Sequence, residues 1–194
     1  MVVARSFKVL PLLALMMAAC TGMPRLVQGP EVGLPPPPPG SGSTAGDPGR
    51  GAVLSSAYAF ARPERLHGNP AAAARAVASL EWMTESLPFD QRWIGAAPAT
   101  FSRLALGRAE VRAALGLTAD AAPHRVAEAL GQAALALDGG NRAQAAAALN
   151  PVAPAGGAAV LGVLDALPRL PRAAEATAMA DREMLRLMQE DPVT

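Results

Sequence analysis

The sequence predicts an all-α fold: a small helical bundle, or stacked helical hairpins, behind a disordered Pro/Gly-rich linker. Three observations lead there. From Ala52 onward, apolar residues recur at three- and four-residue spacing, the period of one helix face. Proline, glycine and asparagine fall where such stretches would begin and end. No segment alternates β-branched apolar residues with polar ones, so strands are not expected.

The elements follow in order. A first helix is expected over Ala52 to Arg62, stopped by Pro63. Asn69-Pro70 is a start signal, with Asn as N-cap and Pro at the first helical position. The second helix then presents Val77, Leu80, Met83 (or Thr84) and Leu87 on one face, and Pro88 ends it. A third runs from Pro98 to Leu115 with Phe101, Leu104, Val111 and Leu115 inward and Gly116 as its C-cap. A fourth begins near Pro123, carries Val126, Leu130, Ala133 and Leu137, and stops at Gly139-Gly140. Asn141 caps a short fifth helix to Leu149, ended by Pro151. Gly156-Gly157 opens a sixth with Val160, Leu161, Leu164 and Leu167, broken by Pro168 and Pro171. The last, Arg172 to Glu190, lines up Ala173, Thr177, Met184 and Met188.

Residues 1–51 read differently. Arg5 and Lys8 make a basic leader, and Val9 to Ala19 is an apolar run that ends in Met17-Ala18-Ala19-Cys20. The layout is that of a secretory signal peptide, and the run is well short of the roughly 20 residues a spanning helix needs. Cys20 is the only cysteine, so it has no intramolecular disulfide partner. The motif resembles the signal of bacterial lipoproteins, with Met17 where that family usually has leucine. The resemblance implies cleavage before Cys20, a diacylglycerol on its thiol, and a lipid-anchored mature chain facing the periplasm. Thr21 lacks the aspartate that retains enteric lipoproteins at the inner membrane, so the resemblance favours the outer membrane. Acyl chains contribute about 0.8 kcal/mol per buried CH₂, enough for anchoring with two or more chains.

Thr21 to Gly51 reads as a tether, with Pro35 to Pro39, Gly40-Ser41-Gly42-Ser43 and Gly46-Asp47-Pro48-Gly49. Such a stretch buries too little apolar surface to offset its ordering entropy. Its prolines favour polyproline II, rising about 3.1 Å per residue. The favoured reading is a spacer; the alternative is a proline motif read by a partner's groove. The domain plan is therefore residues 1–19 signal peptide, 20–51 lipidated cysteine and disordered linker, and 52–194 all-α domain.

Lys8 is the only lysine among 17 Lys+Arg, so the chain has 16 arginines, and alanine, glycine and proline are abundant too. Their codons are GC-rich, so the arginines are a genome signature. Loss of Arg5 and Lys8 with the leader takes the formal charge from +1 to −1, too little to draw a nucleic-acid backbone. With 4% aromatic residues, the core must rest on alanine, leucine, valine and methionine, which favours close approach of helices.

The candidate sites are few. His67 and His124 are the only histidines and read as surface or capping residues, so no metal site is expected, nor any cofactor. No catalytic constellation is visible and no enzyme is expected. Glu81 to Trp93 is the most distinctive run, and Trp82, Glu85, Phe89, Arg92 and Trp93 are its candidate binding surface. The competing reading places Trp82, Phe89 and Trp93 on the core as anchors, with Arg92 paired to Glu85 or Asp90. Glu81 and Glu85, four apart, are expected on one helix face. Met179, Met184 and Met188 with Leu185 and Leu187 read as core or as a second docking surface. The Leu135–Leu149 stretch, with its Asp138-Gly139-Gly140-Asn141 turn, resembles the turn between helices of tetratricopeptide-like repeats, without a 34-residue recurrence. The expectation is a lipid-anchored envelope protein acting as an interaction or structural module with an envelope protein partner. The alternative is a small-molecule or lipid-binding carrier.

Overall fold

In the computed structural model, residues 37–39 and 47–190 are described. The expected signal peptide, Cys20 and most of the stretch expected as a tether lie outside them. The fold is all-α, with seven α-helices and no strand among the described residues. In order these are α1 (Pro48–Ala61), α2 (Pro70–Ser86), α3 (Pro98–Leu115), α4 (Pro123–Asp138), α5 (Arg142–Leu149), α6 (Gly157–Asp165) and α7 (Pro171–Glu190). Short 3₁₀ turns follow α1, α2 and α5. No single described helix is long and apolar enough to cross a membrane.

The first helix starts earlier than its sequence suggested. Asp47 accepts the Arg50 N–H at 2.9 Å, and Pro48 occupies the first turn. Residues 48–51, read as linker, are therefore helical. The same Asx–Pro grammar starts α2, where Asn69 Oδ1 accepts the Ala72 N–H at 3.0 Å. It is shared without the proline at α5, where Asn141 Oδ1 accepts the Gln144 N–H at 3.0 Å.

Helix ends obey the reciprocal rule. After α3, Gly116 takes φ 65°, while the Leu117 N–H reaches the Arg112 carbonyl and the Gly116 N–H reaches Ala113. After α4, Gly140 takes φ 72°, with Asn141 bonded back to Ala136 and Gly140 to Leu137. Both are Schellman closures, which need a left-handed residue and so favour glycine.

Helix α2 is the axis of the bundle, packed by α1, α3, α4 and α6. Its buried set departs from the one-faced helix expected. Every residue from Ala76 to Met83 is buried, including Ser79 and Glu81. A helix is apolar all round when neighbours cover all its sides, and alanines at 73, 74, 76 and 78 let those neighbours approach. α7 lies on α3 and α1. A Cβ on Gly107 of α3 would stand 3.0 Å from the Ala173 Cα, so glycine sets the α3–α7 spacing. Glu110 then accepts the Ala173 N–H at 2.9 Å and satisfies one orphan donor at the start of α7.

One ion pair lies inside this core. Arg112 Nε and Nη2 donate to Glu81 Oε1 and Oε2 at 2.7 and 2.6 Å, with side-chain exposures of 4% and 1%. Arg112 Nη1 also donates to the carbonyls of Ala119 and Ala121 at 2.7 and 2.8 Å. The α3–α4 connection thus wraps a guanidinium held by α2. Burial pushes the Glu81 carboxyl above its ordinary value, and the Arg112 hydrogen bonds pull against that.

Candidate functional site

The most distinctive sequence run becomes a braced loop at one end of the bundle. Helix α2 stops at Ser86, and Pro88 enters a 3₁₀ turn over Leu87–Phe89. Leu87 is fully buried, while Phe89 two residues on is 79% exposed. Asp90 then caps a second 3₁₀ turn, Gln91–Trp93, by accepting the Arg92 N–H at 3.0 Å. Trp93 turns inward against Phe101, with ring centroids 6.3 Å apart and an interplanar angle of 57°. Ile94 turns outward and is 76% exposed. Gly95 follows with φ 87°, a conformation that favours glycine.

Charged groups hold this loop from two sides. Arg92 Nε and Nη2 donate to the Asp90 carboxylate at 3.0 and 2.7 Å, and Nη1 lies 2.5 Å from Asp47 at the start of α1. Burial raises the Asp90 carboxyl, but the hydrogen bonds from Arg92 together set it lower than usual. On the α7 side, Glu183 Oε1 accepts the Ala97 N–H at 2.6 Å, and Arg186 Nη2 donates to the Gly95 carbonyl at 2.8 Å. Arg186 and then Ala97 hold the Glu183 carboxyl below its ordinary range. Beside the loop lies an open groove of about 270 Å³, lined by Asp47, Arg50, Arg92, Trp93, Met184 and Met188 among others.

The five residues singled out from the sequence do not form one surface. Trp82 and Trp93 are buried, at 2% and 7% exposure. Trp82 sits on α2 in the run that neighbours cover on all sides. Trp93 is drawn in by Phe101. Phe89 is the opposite case: read as an anchor in one account, it is the most exposed large apolar side chain described, because the turn at Pro88 carries it past the core. Arg92 pairs with Asp90 and Asp47, and not with Glu85. Glu85 instead lies 3.3 Å from His124 Nδ1, so Glu81 and Glu85 part company: one inside with Arg112, one half-buried beside His124.

The remaining expectations divide similarly. His67 is exposed in the α1–α2 connection, and His124 is exposed in the first turn of α4. Among the described residues no group of three or more His, Cys, Asp or Glu could hold a metal ion. On α7, Met184 is buried, whereas Leu185 and Met188 are 48% and 50% exposed, so this helix has an inner and an outer apolar side.

Sequence reasoning did not find Ile94, Glu183 or Arg186. Ile94 is a lone apolar residue beside a glycine, and the two α7 residues act on a loop 86 and 91 positions away. No family model matches the chain, and neither a curated protein nor a solved structure is detectably similar to it.

Proposed function

We propose that this chain is a lipid-anchored cell-envelope protein whose helical domain presents the Leu87–Ile94 loop to another envelope protein. One observation carries the docking half: the two most exposed large apolar side chains described, Phe89 and Ile94, stand on a single loop braced by an ion pair to Asp47 at the start of α1 and, just past Ile94, by hydrogen bonds from α7 to the backbone. Apolar groups on a held backbone lose little conformational entropy on binding, so their burial converts efficiently into affinity. The chemistry fits a partner with an apolar recess. The envelope half rests on Met17-Ala18-Ala19-Cys20 and its leader.

The carrier reading has its own footing in the groove between α1 and α2. About 550 Å³ is lined by Leu54, Tyr58, Leu66 and Ala76, and the Arg62 and Arg65 guanidinium carbons lie 4.7 and 5.7 Å from the Tyr58 ring centre. That groove is only half enclosed, whereas a carrier site encloses most of its ligand. The interaction reading is therefore preferred.

Two experiments test the two halves. The anchor predicts acyl mass on the full-length protein and its presence in the membrane fraction, both lost in Cys20→Ala. An unmodified wild type, or a Cys20→Ala protein that stays membrane-bound, would sink the envelope half. For docking, a photo-crosslinking residue at Phe89 or Ile94 should trap one discrete adduct in cells, while the same residue at exposed Leu135 traps none. Equal crosslinking at all three sites, or at none, rules out the loop as the contact.

A further inference from the structure

We infer that the groove between α2 and α4 is a polyproline-binding site, and that this chain's own Pro37–Pro39 segment occupies it. The segment is one the sequence assigns to the tether. It nevertheless lies against the bundle: Pro38 is buried, and Pro37, Pro38 and Pro39 line a crevice of about 380 Å³ with Trp82, His124, Ala127 and Glu128.

The chemistry of the groove suits this occupant. Proline rings have no backbone N–H to leave unsatisfied, and their fixed φ removes most of the ordering entropy. Grooves that read such segments place an aromatic face beside small residues that admit the rings. Here Trp82 supplies the aromatic side chain and Ala127 and Gly131 supply the small face of α4.

Gly131 is the second, independent observation. Glycine inside a helix costs about 1 kcal/mol against alanine, so its presence mid-α4 calls for a reason. Its φ is not positive. A Cβ there would stand 2.5 Å from the Pro39 carbonyl oxygen and 3.0 Å from both its nitrogen and Cδ. Those are the three nearest atoms, and all belong to Pro39. The glycine makes room for the proline segment. The domain therefore takes hold of the tether at Pro37–Pro39, well before the start of α1. On this reading the spacer expected over Thr21 to Gly51 is fastened part-way along.

The test uses the full chain and the two indole N–H signals in a nitrogen–proton NMR spectrum, assigned with Trp82→Phe. Replacing Pro37, Pro38 and Pro39 together by Ser, Gly and Ser should shift the Trp82 signal and leave that of Trp93 in place. Gly131→Ala should do the same, although alanine is the better helix former. Adding a synthetic peptide of residues 34–40 at millimolar concentration should restore the Trp82 signal in the triple-proline variant and fail to do so in Gly131→Ala. Far-UV circular dichroism checks that both variants keep their helices. A Trp82 signal that stays put in either variant, or a peptide that leaves the triple variant unchanged, overturns the proposal.

Discussion

Arg112→Met is expected to lower the unfolding free energy by about 3–5 kcal/mol, a large part of the 5–15 kcal/mol typical of a domain. The substitution keeps an unbranched side chain of similar reach, so packing volume is not what fails. The loss has two sources. Glu81, 1% exposed, is left as a buried carboxylate without its bidentate partner. The Ala119 and Ala121 carbonyls lose the Nη1 donor that holds the α3–α4 connection closed. Lysine should rescue little, since it lacks the planar fork that serves both carboxylate oxygens and the carbonyls at once. Urea unfolding followed by circular dichroism measures each change.

The diagnostic comparison is the double variant Glu81→Leu/Arg112→Met. It removes both charges, so it should recover most of the loss and leave a deficit of about 1–3 kcal/mol for the unsatisfied carbonyls. If the double variant is as unstable as the two single losses added together, the pair is not the coupled unit described. The pH dependence gives a second signature. Burial already places the folded Glu81 carboxyl above its unfolded value of 4.5. Without Arg112 the carboxyl loses its hydrogen bonds and closest positive charge, so burial dominates and only the weaker pull of Arg108 opposes it. A group raised in the folded state binds its proton more tightly there, so its stability contribution is present below 4.5 and is lost as pH rises through the folded value. Arg112→Met should therefore become more stable as pH falls from 7 toward 4.5, and the double variant should not.

How far the sequence discloses this molecule depends on whether the signal is local. Helix ends are local, because Asn69, Asn141, Gly116 and Gly140 act on backbone groups within five residues of themselves. Those boundaries are readable from spacing alone. The start of α1 follows the same rule at Asp47-Pro48, but Gly49 and Gly51 are poor helix formers and mask it. The core partners are not local. Glu81 and Glu85 look equivalent at i and i+4, yet one is buried because Arg112, 31 residues on, meets it there. Likewise Trp82 and Phe89 are both large aromatics near the end of α2. Their opposite fates depend on which neighbours cover α2 and on the turn at Pro88, which only the assembled bundle decides. The bracing of the candidate loop by Glu183 and Arg186, and the seat of Pro37–Pro39 beside Gly131, are long-range in the same sense.

Helix α6 offers a separation of local from long-range causes, because its two glycines, one at the first position and one in the interior, meet very different surroundings. Gly162 has nothing within 4 Å of where a Cβ would sit. Gly162→Ala should therefore gain the ordinary helix preference, about 0.5–1 kcal/mol. Gly157 stands at the start of the helix, where its N–H donates to Asn150 Oδ1 at 2.8 Å. A Cβ there would overlap the Ala146 carbonyl oxygen and lie 2.8 Å from its carbon and 2.9 Å from the Leu149 Cβ. The obstacle is the backbone of α5, which cannot rotate aside like a side-chain tip. Overpacking typically costs 1–3 kcal/mol, so Gly157→Ala should lose about 2–3 kcal/mol. Thermal and urea unfolding of the two variants should thus move in opposite directions from the wild type. The α5–α6 hairpin is built on backbone contact that only glycine permits, and a Gly157→Ala protein as stable as Gly162→Ala would show that contact to be dispensable.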